Sequence, residues 1–151
     1  APPPLVYRRW LREPGARRGI RWMTMTGNDK SWIVHVVDDD LAVCSSLKFA
    51  LEIDGFCVRT YADSKELLAA DIPCAGCMII DYNLPGINGL DLLRELDRRD
   101  VHLPSFLITS NPTAQVRKRA TAQGVSIIEK PLLSNQLNEA VRESFSRAAP
   151  C

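Results

Sequence analysis

Residues 78–89 read Met78-Ile79-Ile80-Asp81-Tyr82-Asn83-Leu84-Pro85-Gly86-Ile87-Asn88-Gly89. The apolar run from Cys77 to Ile80 predicts a short buried strand, and Asp81 ends it. A helix-length segment follows from Gly89 to Arg99, with Leu92, Leu93 and Leu96 at helical spacing. This strand-then-helix unit decides the fold, because it is one of five.

Working outward, short apolar runs recur at Trp32 to Val37, Phe56 to Tyr61, Ser105 to Thr109 and Val125 to Ile128. Helix-length segments lie between and after them. One runs from Leu41 to Ile53, with Val43, Leu47, Ala50 and Leu51 on one face. Others cover Ser64 to Ala70 and Pro112 to Gln123. The last, Leu133 to Arg147, carries Leu133, Leu137, Ala140, Val141 and Phe145. Gly55 and Gly124 stand where helices end, as C-capping glycines do. Five alternations predict an α/β domain with a doubly wound parallel sheet covered on both faces.

The polar residues gain meaning on this scaffold. Asp38, Asp39 and Asp40 follow the first strand of the sheet, Asp81 ends the third, Thr109 ends the fourth and Lys130 follows the fifth. All sit at carboxyl ends of strands. In an open parallel sheet those ends share one edge, and ligands bind there at the switch point of strand order. Several carboxylates in one place repel one another unless a cation joins them. Oxygen ligands without clustered His or thiolate favour Mg²⁺ or a similar hard ion. A carboxylate nucleophile, a metal and a fixed lysine suffice for phosphoryl transfer. Capping of the first helix accounts for Asp40, but not for the run of three acids, for Asp81 or for Lys130.

Four stretches together resemble response-regulator receiver domains. Val36-Val37-Asp38-Asp39-Asp40 is similar to the family's acidic pocket, and residues 78–89 to its phosphoacceptor strand and loop. Ile108-Thr109-Ser110 is similar to the switch-threonine segment, and Glu129-Lys130-Pro131 to the lysine-proline turn. The resemblance covers residues 31–147, and its wording is closest to receivers that precede helix-turn-helix output domains. It implies a flavodoxin-like five-stranded sheet of order 2-1-3-4-5. Asp81 would accept a phosphoryl group from a histidine kinase or phosphotransfer protein. Mg²⁺ (or Mn²⁺) would be held by Asp39, Asp81 and the backbone carbonyl of Asn83, with Asp38 acting through metal-bound water. Thr109 and Lys130 would contact the phosphoryl group, Lys130-Pro131 would be cis, and the signal would leave by conformational change. A homodimer through the fourth helix, fifth strand and fifth helix is a further implication. One position departs from the pattern: three residues before the lysine the family carries an aromatic ring, and here stands Ile127.

The composition bounds what else the chain could be. It has 151 residues, 46% of them hydrophobic, and a net charge of +1, which suits one domain with its own core. No apolar run approaches a membrane span, and the N-terminus lacks a signal-peptide core, so a cytoplasmic protein is expected. Residues 1–25 hold six arginines (Arg8, Arg9, Arg12, Arg17, Arg18, Arg21) against one acid, Glu13. With Pro2-Pro3-Pro4, Pro14-Gly15 and Gly19 against helix formation, residues 1–30 are expected to be a flexible basic arm. Its arginines could touch nucleic acid or acidic lipid, but a solvated tail, or residues upstream of a natural start, is the reading preferred. No direct nucleic-acid binding is expected of residues 31–147. Residues 148–151 form a tail.

Five cysteines, an odd number, suggest no disulfide framework. Cys74 and Cys77 are read as small residues at a strand entrance rather than as a redox or zinc pair, and His35 and His102 as structural. Arg117-Lys118-Arg119 on the thinly apolar fourth helix is read as a solvated face, with partner docking as the alternative.

Two other functions compete with this one. A haloacid-dehalogenase-type phosphohydrolase would want a second aspartate two residues after the first, where Asn83 stands. A phosphate-independent docking module is opposed by the intact set Asp38, Asp39, Asp81, Thr109 and Lys130. The expected function is therefore that of a signalling module that catalyses its own phosphotransfer and turns over no outside substrate. It would stand alone or belong to a longer DNA-binding regulator, and its signal would go to an output domain or partner protein.

Overall fold

The computed structural model describes residues 8–10 and 22–24 by their backbone, and residues 32–132 and 135–147 with their side chains. Two three-residue strands, β1 (Arg8–Trp10) and β2 (Trp22–Thr24), pair antiparallel. They fall where an arm without regular structure was expected. The other residues of the expected flexible arm, its prolines and glycines included, and the expected tail at 148–151 lie outside the described residues.

The main sheet has five parallel strands: β3 (Ile33–Val37), β4 (Cys57–Tyr61), β5 (Gly76–Asp81), β6 (Ser105–Thr109) and β7 (Ser126–Glu129). Their order is β4-β3-β5-β6-β7, which is 2-1-3-4-5 when the strands of this sheet are counted alone. β3 and β5 are neighbours although β4 lies between them in sequence. The switch point of the sheet is therefore the crevice between the carboxyl ends of β3 and β5.

Among the described residues five helices alternate with the strands: α1 (Leu41–Ile53), α2 (Ser64–Ala69), α3 (Gly89–Arg98), α4 (Ala114–Ala122) and α5 (Gln136–Arg147). Local chemistry sets their starts. Asp40 Oδ1 accepts from the Ala42 and Val43 amides, Asp63 caps α2, Asn88 caps α3 and Thr113 caps α4. The Thr113 cap explains why α4 begins two residues later than the apolar spacing suggested. Gly55 and Gly124, both at positive φ, follow the C-caps of α1 and α4, where a side chain would be strained.

The sheet is apolar on both faces, as the continuous strand runs required. Val34, Val36, Cys77, Ile79, Phe106, Ile108 and Ile128 meet α1 and α5 through Cys44, Leu47, Leu51, Leu137 and Val141. Val37, Tyr61, Met78 and Ile80 meet Leu67, Leu92 and Leu96 on the other face. There Leu90 and Leu107 also receive Val116 and Ala120 of α4. The buried stripe of α1 is Cys44, Leu47 and Leu51; Val43 and Ala50, expected on it, sit half-buried at its margin. On α4 the expected Ala114 is exposed, and on α5 Leu133 lies outside the described residues. The C-x-x-C is not an internal bridge: Cys77 is a buried thiol, while Cys74 is disulfide-bonded. That bond was not anticipated from the odd number of cysteines, which suggested no disulfide framework. Among the described residues no helix is long and apolar enough to cross a membrane.

Candidate functional site

The register of the sheet places the polar residues. Val37 stands opposite Tyr61 and Ile80, Asp81 opposite Ile108, and Thr109 opposite Glu129. The residues that end or follow these strands therefore meet at one edge. Asp38 and Asp81 are buried there and Asp39 is exposed. One carboxylate oxygen from each lies within 4.8 Å of the other two.

Lys130 closes the cluster from β7. Its ammonium donates to Asp81 Oδ1 at 3.3 Å and to Asp38 Oδ2 at 3.5 Å. Charge-assisted N–H···O bonds are typically about 2.7–2.9 Å, so the lysine is shared between two carboxylates and not locked onto either. Burial opposes the charge on Lys130, but Asp38 and Asp81 outweigh it and leave its pKa above the ordinary lysine value. Asp81 is also pushed up, first by burial and then by the charge of Asp38. Lys130 and the Asn83 backbone N–H oppose that rise without cancelling it. One ammonium is thus too little positive charge for three carboxylates.

Backbone contacts hold these side chains in place. Asp38 Oδ1 accepts from the Asp40 amide at 2.9 Å, and the Asp38 carbonyl accepts from the Cys44 thiol at 3.2 Å. The Lys130 amide donates to the Thr109 carbonyl at 2.9 Å, and the Lys130–Pro131 bond is cis. The Thr109 side chain is buried, and its hydroxyl lies 3.5 Å from the Ser110 carbonyl, at the limit of a hydrogen bond. The Asn83 side chain is exposed. Ile127 is half-buried in the cluster beneath α4, with Leu90, Leu107, Val116 and Ala120.

Two contributors were not assigned roles from the sequence. Asn88 and Asp91 form a reciprocal cap: Asn88 Oδ1 accepts from the Asp91 amide, and Asn88 Nδ2 donates to Asp91 Oδ2. An Asn three residues before an Asp at a helix start is a readable signal for this. Gly89 lies directly against the end of β5, where an added Cβ would sit 2.6 Å from the Asp81 carbonyl oxygen. Position in sequence alone does not show that approach.

Residues 34–142 match the model of the response regulator receiver domain. The chain belongs to the response-regulator receiver family. This receiver is 37% identical over 118 residues to the transcriptional regulatory protein FixJ of Azorhizobium caulinodans, a match covering 77% of the chain and 56% of the relative. It is 33% identical to the transcriptional regulatory protein TdiR of Thauera aromatica, with 82% and 54% covered. The receiver thus spans about half the length of these curated relatives. A crystal structure described as FixJ-N superposes with a TM-score of 0.71 at 28% identity, over 82% of this chain and all of that one. Receivers are the signal-accepting modules of two-component systems, and the strand order found here is the order that the resemblance implied.

Proposed function

We propose that this receiver accepts a phosphoryl group on Asp81 from a histidine kinase or a phosphotransfer protein. The observation that carries the reading is the convergence of Asp38, Asp39 and Asp81 oxygens within 4.8 Å, with the Lys130 ammonium beside two of them, at the switch point of the sheet. Surplus carboxylate charge made of oxygen donors fits a hard divalent ion. Asp38, Asp39, Asp81 and the Asn83 carbonyl would hold Mg²⁺ (or Mn²⁺), which would neutralise charge on the phosphoryl oxygens. Asp38 would act mainly through water.

A carboxylate oxygen of Asp81 attacks phosphorus, the phosphorus–nitrogen bond of the donor phosphohistidine breaks, and the donor imidazole takes up a proton. Lys130 offers its ammonium to the incoming oxygens, since its contacts to both carboxylates are long enough to exchange. The Thr109 hydroxyl, weakly held by Ser110, turns toward the same group. The module turns over no outside substrate. Its readout goes to an output domain or partner protein, as the longer transcriptional relatives suggest. The α4–β7–α5 face, where β7 is the edge of the sheet, is the surface proposed for self-association.

The test is intact mass after incubation with acetyl phosphate and Mg²⁺, beside Asp81→Asn. Gain of one phosphoryl group by the parent, absent in the variant and absent without Mg²⁺, is expected. No gain in a folded parent that binds Mg²⁺ sinks the reading.

A further inference from the structure

α4 is thinly anchored by burial. Of its nine residues, Val116 and Ala120 are the buried ones. Ile127 beneath it is aliphatic, with no ring to turn and no polar atom to reorganise. Two ion pairs supply what burial does not. Arg117 pairs with Glu129, the last residue of β7. Glu129 directly precedes Lys130, whose ammonium lies between Asp38 and Asp81. Arg119 donates to Asp91 Oδ1 at 2.7 Å. Asp91 is locked to Asn88 by the reciprocal cap of α3, and the next amide, Gly89, donates to the carbonyl of Tyr82, the neighbour of Asp81. The two arginines of one helix are thus tied to the two chain segments that carry the acceptor aspartate and the lysine.

We propose that Arg117 and Arg119 form a two-point latch that holds α4 against the site, and that loosening this latch carries charge added at Asp81 to the α4 surface. The proposal rests on Asp81 being the phosphoacceptor. A new dianion there draws Lys130 from its shared position, and Glu129 is its chain neighbour. The same dianion crowds the loop from Tyr82 to Asn88, whose end fixes Asp91. Half-exposed ion pairs are individually weak, so small shifts of their acceptors suffice to change how far α4 is held. The arginines take the place of a rotating ring with a charge-based connection that the sequence shows only as a basic run.

Amide hydrogen exchange of the full chain tests this, read at residues 114–124 with residues 41–53 of α1 as the internal reference. The parent, Arg117→Gln/Arg119→Gln and Arg117→Lys/Arg119→Lys are each compared with and without beryllium fluoride plus Mg²⁺. In the unmodified state the glutamine variant should exchange roughly fivefold faster in α4 with α1 unchanged, and the lysine variant should lie near the parent. Beryllium fluoride should speed α4 exchange in the parent and add little in the glutamine variant. Asp91→Asn/Glu129→Gln, which cuts the same pairs from the acceptor side, should reproduce the glutamine result. Equal α4 exchange in the parent and both cut variants overturns the latch, as does an undiminished beryllium fluoride response in them. Failure of the phosphoacceptor reading shows itself separately, as a parent that gains no phosphoryl group from acetyl phosphate, while the unmodified comparison still judges the latch.

Discussion

The Lys130 ammonium stands 3.3 Å from Asp81 and 3.5 Å from Asp38, two carboxylates at the ends of adjacent strands that would otherwise face each other unpaired in a buried crevice. Removing the lysine leaves both charges uncompensated. Lys130→Met is therefore expected to destabilise the fold by about 3 kcal/mol, the low end for breaking a buried pair because the ammonium is partly solvated. Urea denaturation with and without Mg²⁺ checks this. Saturating Mg²⁺ should narrow the gap, since the ion stabilises the folded state and binds the variant more tightly once the ammonium no longer competes for Asp38 and Asp81. A gap unchanged by Mg²⁺ would count against the metal site.

Asp81 gives the opposite sign. Its pKa is raised by burial and by Asp38, so at neutral pH its charge weakens the metal-free fold. Asp81→Asn removes that charge while Lys130 keeps Asp38 as a partner. The variant should be more stable than the parent without metal, by roughly 1 kcal/mol, an ordinary size for a single substitution. It should also gain less from Mg²⁺. Thermal melts of both proteins at several Mg²⁺ concentrations should show curves that approach each other as the ion is added.

Much of this arrangement was legible in the sequence because the sheet is parallel. Period and length set the strands, and one rule about carboxyl ends then brings Asp38, Asp81, Thr109 and Lys130 together across 92 residues of chain. The side chains that hold them were less legible. The Arg119–Asp91 pair joins two helices 28 residues apart, and nothing in a local pattern selects Asp91 over its acidic neighbours. On α1 Leu47 and Leu51 are buried as their spacing predicts, but Cys44 takes the buried place beside them and Val43 the margin of the same cluster, a choice that two adjacent apolar residues leave open.

His35 is a buried histidine on β3, stacked on Tyr61 with its Nδ1 3.0 Å from the Tyr61 hydroxyl, and its Nε2 has no partner among the described residues. Burial first, and Arg59 second, lower its pKa from 6.5 to about 4. Above pH 6.5 the ring is neutral in both folded and unfolded chains and costs nothing. As pH falls from 6.5 to 4 the unfolded chain takes up a proton that the folded chain refuses, so stability declines across that window and levels off below it. The loss integrates to about 3 kcal/mol. His35→Phe should remove this part of the decline, which urea denaturation at pH 7, 5.5 and 4 measures as a shrinking advantage of the parent over the variant.

Gly89 separates support of the site from the fold as a whole. A Cβ there would stand 2.6 Å from the Asp81 carbonyl oxygen, 2.7 Å from Leu107 Cδ1 and 3.1 Å from Ile80 Cγ2. The oxygen is backbone of a central strand and cannot step aside without moving Asp81. Gly89→Ala should cost about 2 kcal/mol, within the range for overpacking, and slow phosphorylation by acetyl phosphate because Asp81 is displaced from Lys130. Gly76→Ala offers the comparison: its Cβ would meet the Ile33 carbonyl oxygen at 2.1 Å, at a φ of +154°, at the opposite end of β5. It should destabilise at least as much while sparing the phosphorylation rate of the molecules that remain folded. Equal rate losses in the two variants would mean that Gly89 supports the fold and not the geometry of Asp81.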